Sequence, residues 1–266
     1  MSNNQYIAAQ APDALERERL ALLDQGANSI SMRYLQTVGL AEGWHCLDVG
    51  AGSGSLACLM AERVGPLGQV VATDINLRFL AARPPCANMA VRQHDVVTDE
   101  LETDAYDLVH CRALLANLRA PEQALTRMAA AVRPGGWLMI EEPDFTGFGA
   151  ADPRHPFAEK FTRTYQALWS GLLARGIVDV FIGRRLRSLV EGLGFVDVNI
   201  EGTASVYRGG EPATRFFQLG LELMKPQGDS GMITLQDWEE LRAVYEDPTF
   251  TFVGGVVFGI WARRPS

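Results

Sequence analysis

Apolar positions along this chain follow two rhythms. Between residues 12 and 40, Leu15, Leu20, Leu22, Leu23, Met32, Leu35 and Val38 recur at helical spacing and predict helix. From Trp44 the rhythm shifts to short apolar runs: Trp44–Val49, Gln69–Thr73, Met89–Gln93, Tyr106–His110 and Trp137–Ile140. Helical segments separate them. Ser55–Val64 ends near Gly65-Pro66, a second helix is predicted from Asn76, and Pro121–Val132 is closed by Pro134-Gly135-Gly136. Alternation of this kind predicts a parallel sheet with helices on both faces.

The rest of the pattern is mostly helical. Residues 143–193 carry Pro156 at a helix start and the stripe Phe157, Phe161, Tyr165, Trp169, which reads as a packed helix face. Gly194–Gly202 reads as a strand. Residues 204–250 hold two helices, the second opened by Thr234 and Asp237 in a capping box, and Phe250–Arg263 is a last apolar strand. The fold expected is α/β: a doubly wound, mostly parallel, seven-stranded sheet with a helical cap, in a single domain. Its core would be 43–142, 194–203 and 251–264, and its cap 1–42, 143–193 and 204–250.

Composition narrows the function. The chain is 47% hydrophobic, enough for a substantial core. Its 24 basic and 32 acidic residues give a net charge of −8, which disfavours a nucleic-acid partner. Arg184, Arg185 and Arg187 form one small basic patch. Cys46, Cys58, Cys86 and Cys111 include no Cys-x-x-Cys pair and read as small buried hydrophobes in a reducing compartment, with no metal site. The N-terminus lacks an apolar signal core, and the longest apolar stretch, Val253 to Ala262, is too short to span a bilayer. A soluble, cytoplasmic protein with a small-molecule substrate is expected; a homodimer through the cap helices stays open.

Sheets of this type bind ligands beyond the C-terminal ends of their strands. The residues there are Gly50–Gly54, Asp74, Asp95, His110–Arg112 and Glu141–Asp144. The run Leu47-Asp48-Val49-Gly50-Ala51-Gly52-Ser53-Gly54 lies between a strand and a helix, where glycines allow a tight turn and close backbone approach. It departs from the dinucleotide pattern: Ser55 stands where that pattern requires glycine, and Asp48 suits a positively charged ligand. Asp48 also reads as a cap of the following turn, Asp74 as the N-cap of the helix from Asn76, and Asp95 as the cap of a short helix at Val96–Leu101.

Asp48 to Gly54, Asp74, Asp95, Asp107–Arg112 and Val132–Gly136 together resemble, in order and spacing, the motif series of class I Rossmann-like S-adenosylmethionine-dependent methyltransferases. The likeness covers roughly residues 40–142 and is greatest to the small-molecule enzymes of quinone and natural-product (secondary) metabolism. It implies that Asp48, Gly50, Ala51, Gly52 and Gly54 wrap the amino-acid and ribose portion of S-adenosylmethionine. Asp74 would hold both ribose hydroxyls, since a carboxylate offers two acceptor oxygens. Ile75 would pack on the adenine with Asn76 beside it. Asp95 would accept from the adenine amino group, and Val96 would offer its N–H. His110, Cys111 and Arg112 would line the methionine portion.

Methyl transfer from a sulfonium is a direct displacement that depends chiefly on alignment. A base is needed only for an acceptor that must lose a proton. His155 is the first candidate base, because histidine titrates near neutrality. Glu142 and Asp144, placed just past the fifth strand, are next, and Tyr6 would close over the cofactor. Phe148, Phe157, Phe161, Trp169, Phe181 and Phe216 in the cap point to a partly apolar acceptor, methylated on O, N or C. The alternatives are a non-methylating cyclase or rearrangement enzyme on the same fold and cofactor, a nicotinamide oxidoreductase, and a non-catalytic binding subunit.

Overall fold

The computed structural model describes residues 11–84, 86–228 and 232–266. A long helix, α1 (Asp13–Thr37), precedes the first strand. Then follow β1 (His45–Val49), α2 (Ser55–Val64), β2 (Gln69–Asp74), β3 (Met89–Gln93), β4 (Tyr106–Arg112), α3 (Pro121–Ala131) and β5 (Val132–Asp144). The second half holds β6 (Gly149–Ala150), α4 (Ala158–Ala174), α5 (Ile182–Gly192), β7 (Val196–Arg208), α6 (Thr214–Gly228), α7 (Leu235–Val244) and β8 (Thr251–Arg263).

The sheet runs β3-β2-β1-β4-β5-β8, with β7 on the far edge of β8 and the two-residue β6 continuing the β5 side. Strands β1 to β5 are parallel, and β8 lies antiparallel to both β5 and β7. The seven-stranded expectation therefore describes the sheet, apart from the short β6. Every residue of β4 but the last is buried, as befits a central parallel strand covered on both faces.

Two cores flank the sheet. Leu35, Leu56, Met60, Val64 and Leu80 pack α1 and α2 against Cys46, Leu108 and Met139. Leu125, Met128, Leu168, Leu186 and Leu241 pack α3, α4, α5 and α7 against the opposite face at Leu47, Val109, Leu138 and Ile140. The cap contains a ring-on-ring cluster in which Phe148, Phe161, Tyr165, Tyr245, Phe250 and Phe252 lie within contact distance of one another. Phe161 and Tyr165 are fully buried, so the aromatic stripe is a packed face. The Thr234–Asp237 capping box opens α7.

Several local expectations need correction. No helix follows Asn76; residues 75–83 form turns, with one helical bond from Ala81 N–H to the Leu77 carbonyl. Pro84 sets a limit on any helix here, since a residue before proline is pushed out of the helical region. The fifth strand does not stop at Ile140. Pairing of Glu142 with Phe258 and of Asp144 with Val256 carries it on, so Glu142 and Asp144 stand within β5. Residues 204–208 likewise belong to β7 rather than to the cap. Cys58 of α2 and Cys86 are joined in a disulfide, Cα atoms 6.2 Å apart, because the β2–β3 crossover brings residues 28 apart together; Cys46 and Cys111 are free and buried. The three arginines of the basic patch are each paired: Arg184 with Asp144, Arg185 with Asp179 and Glu122, Arg187 with Glu191. No described helix is long and apolar enough to cross a membrane.

Candidate cofactor site

Strand order reverses between β1 and β4, and the glycine loop after β1 lies at that switch point. Gly50 and Gly54 both hold positive φ, at 70° and 74°. A side chain at Gly50 would meet Leu114 Cδ1 at 3.0 Å, and one at Gly54 would collide with Leu80. Backbone bonds fix the loop: Ala51 N–H donates to the Thr73 carbonyl at 2.9 Å, and Gly54 N–H to that of Ala51 at 2.8 Å.

Asp74, at the end of β2, joins the loop to the next turn. Its Oδ2 accepts from Gly52 N–H at 3.0 Å and its Oδ1 from Asn76 N–H at 2.9 Å. Burial raises its carboxyl above the usual range, against the pull of those amides. Ile75 and Asn76 follow, half-buried. Asp95 sits past β3, where its Oδ1 accepts from Val97 N–H at 2.9 Å while Val96 is buried beside it. Asp95 thus caps a turn, and no helix follows it. His94 is buried rather than at the surface, its Nε2 3.2 Å from the Glu100 carbonyl oxygen.

A buried charged row underlies the loop. Asp48 and His110 are register partners on β1 and β4, and Glu141 stands on the same face of β5. His110 Nδ1 lies 2.7 Å from Asp48 Oδ1, and Nε2 lies 3.2 Å from Glu141 Oε1. All three are at most 3% exposed. Burial alone would lower the His110 pKa, but the two carboxylates overcome it and raise it to about 9. The hydrogen bonds to Asp48 and Glu141 thus favour the protonated ring.

Arg112 reaches the other way, into α1. Its guanidinium donates to Asn28 Oδ1 and Asp24 Oδ1 at 3.0 Å and to Ser31 Oγ at 2.9 Å. Asp24 in turn accepts from Ser53 Oγ at 2.5 Å, and Asn28 donates to Ser55 Oγ at 2.8 Å. This clasp holds α1 across the glycine loop. Asp24, Asn28 and Ser31 were passed over in the sequence, where their spacing of four and three on a helix reads as a solvated stripe.

Cys111 points to the opposite face, buried in the main core. Glu142, also on that face, is fully buried; its Oε1 accepts from Leu114 and Leu115 N–H at 2.8 and 2.6 Å and its Oε2 from Ala116 N–H at 3.2 Å. Burial raises its pKa to about 7, against the lowering effect of those amides. Asp144 is engaged by Thr146 and Arg184, which hold its carboxyl below the usual range despite burial. His155 is not brought to this site. Its ring meets Thr249 Oγ1 at 3.2 Å, Asp247 at 3.6 Å and the edge of Phe250, all beside the start of β8. Tyr6 lies outside the described residues.

Comparison with known proteins decides the family. A family model described as a methyltransferase domain matches residues 7–200. The chain belongs to the class I S-adenosylmethionine-dependent methyltransferases. Within this family it is 30% identical over 202 residues to Methyltransferase str3 of Strobilurus tenacellus, covering 73% of this chain and 70% of that protein. It is 34% identical over 109 residues to the ubiquinone/menaquinone biosynthesis C-methyltransferase UbiE of Cupriavidus taiwanensis, covering 39% of this chain and 45% of that protein. The chain thus spans under half the length of this second relative. Haemonchus contortus phosphoethanolamine N-methyltransferase 2, solved with S-adenosyl-L-methionine, shares the fold at TM-score 0.58 and 17% identity, over all of this chain and 60% of that one. Membership sets aside the nicotinamide oxidoreductase reading.

Proposed function

We propose that this methyltransferase moves a methyl group from S-adenosylmethionine to a small, partly apolar organic acceptor. The observation that carries the reading is Asp74, a carboxyl at the end of β2 whose Oδ2 accepts from Gly52 N–H and whose Oδ1 accepts from Asn76 N–H beside the glycine loop. That donor set fits a ribose diol. The positive-φ turn at Gly50 and Gly54 is one that glycine adopts readily, and it lets Leu114 and Leu80 pack directly on the loop backbone.

When bound, S-adenosylmethionine supplies an electrophilic methyl on a sulfonium. This chain's residues do the holding. Asp74 takes the ribose, and Ile75, Asn76, Asp95 and Val96 flank the adenine. The glycine loop backbone takes the amino-acid arm. Contrary to expectation, the side chains of Asp48, His110 and Arg112 do not line it: Asp48 and His110 are buried beneath the loop in their own row, and Arg112 is engaged by Asp24, Asn28 and Ser31 of α1. The buried Asp48–His110–Glu141 row lies beneath the loop, two acidic side chains bonded to one imidazole. The α1 clasp ties α1 to the glycine loop through Arg112, Asp24 and Ser53. Glu142 and Asp144 have their oxygens committed to amides and to Arg184, and His155 is tied to Thr249; the reading therefore rests on alignment, with no dedicated base among them.

Partly buried Leu118, Phe145 and Trp169, packed on the core of the cap side, are the apolar side chains the reading assigns to the acceptor. The test is to incubate the protein with isotopically methyl-labelled S-adenosylmethionine and a panel of phenols, quinols, enolic carboxylic acids and amines. Label in a product heavier by one methyl group supports the reading and identifies the accepting atom. A product with unchanged mass would establish the cyclase or rearrangement alternative instead.

A further inference from the structure

The turn after β4 has an unusual construction. Ala113 holds φ at 52°, a region that a residue with a side chain rarely adopts. The next three amides, of Leu114, Leu115 and Ala116, all point at one carboxylate, that of Glu142. A single helical turn, Leu115–Asn117, starts there, so Glu142 satisfies donors that the turn itself leaves open. Asn117 Nδ2 closes the turn onto the Ala113 carbonyl at 3.0 Å, and Ala113 N–H donates to the Glu141 carbonyl at 2.8 Å.

Two contacts give this turn a place in the site. The Leu114 side chain lies against Gly50, so that a Cβ there would sit 3.0 Å away. On its other side, Asp179 N–H donates to the Ala116 carbonyl at 2.8 Å and joins the turn to the cap. The turn is thus a wall between the glycine loop and the cap. A fully buried carboxylate is costly to keep, and three amides are what this one is kept for.

We infer that Glu142 is a positioning residue: acting through Leu114, it sets the wall against which the amino-acid arm of the adenosyl cofactor lies. The inference rests on the reading of Asp74 as the ribose acceptor. With the nucleoside end placed over β2 and β3, the arm must cross β1 toward β4, where Gly50 and Leu114 meet. Glu142 does this without touching the reacting atoms, because its oxygens face away into the turn. A glutamine can keep an oxygen that accepts from Leu114 and Leu115 N–H and loses an acceptor only for Ala116 N–H, the longest of the three bonds, toward which it turns its NH2; an alanine loses all three acceptors.

The experiment is calorimetric binding of two probes, S-adenosylhomocysteine and 5′-methylthioadenosine, which lacks the amino-acid arm. Wild type, Glu142→Ala, Glu142→Gln and Leu114→Ala are compared, each with its thermal unfolding recorded. The expectation for Glu142→Ala and Leu114→Ala is a loss of about tenfold for S-adenosylhomocysteine and under about twofold for 5′-methylthioadenosine, with Glu142→Gln close to wild type. Should Glu142→Ala not fold, Leu114→Ala carries the test, since it leaves the buried carboxylate in place. Equal weakening of both probes, an unchanged Leu114→Ala, or a Glu142→Gln as impaired as Glu142→Ala would overturn the inference. If wild type bound neither probe, the adenosyl reading and the inference would fall together; binding by wild type with unaffected variants removes the inference alone.

Discussion

The two faces of the sheet are held by opposite means. Under the glycine loop, on the side of α1 and α2, buried charges do the fixing: Asp48, His110 and Glu141 in one row, Arg112 and Asp24 in a clasp. On the other face, rings do it, with Phe161, Tyr165, Phe250 and Phe252 fully buried among one another and the Tyr165 and Tyr245 hydroxyls bonded together. Buried charges are weak sources of stability but strict about geometry. Buried rings contribute much apolar area and tolerate variation in detail.

This contrast predicts that stability and adenosyl binding can be separated. Phe161→Ala should cost about 3–5 kcal/mol in chemical denaturation. The molecules that remain folded should still bind S-adenosylhomocysteine as wild type does. Binding lost from a folded Phe161 variant would show that the cap also shapes the cofactor side.

His110 offers a smaller effect with a pH signature. A histidine whose pKa is raised from 6.5 to about 9 stabilises the fold in full below pH 6.5 and loses that contribution as pH rises through 9. The full contribution is about 3 kcal/mol. His110→Asn should therefore lie well below wild type at pH 6 and converge on it near pH 10. Glu142, raised to about 7, also loses native-state support as pH rises, but it is common to both proteins and cancels in the comparison. A constant gap between pH 6 and 10 would mean that His110 packs there uncharged.

Smallest should be the cap surface. Arg185, about 43% exposed, pairs with Asp179 and Glu122. Arg185→Ala should change stability by under about 1 kcal/mol and leave adenosyl binding alone. A larger loss would give surface charge a share in holding the cap that the comparison denies it.

The same contrast explains what the sequence made legible. The loop, Asp74 and the strand ends are local features, written in glycines, carboxylates and short apolar runs that need no distant partner to be read. The clasp was hidden because Asp24, Asn28 and Ser31 acquire meaning only when Arg112, some eighty residues away, reaches them. His155 was attractive by residue type, yet Thr249 and Phe250 hold it elsewhere. The Cys58–Cys86 pairing depended on how the β2–β3 crossover returns, which residue spacing does not encode. Glu142 looked like chemistry at the end of a strand. Its burial and its three amides, both tertiary facts, make it part of the wall.

The most direct test of the central claim is a titration of wild type and Asp74→Ala with S-adenosylhomocysteine, with a nicotinamide dinucleotide as control. The account predicts that wild type binds the adenosyl ligand and not the dinucleotide, and that Asp74→Ala loses about tenfold to a hundredfold in affinity. Equal affinity in the two proteins, or no adenosyl binding by wild type, would contradict it.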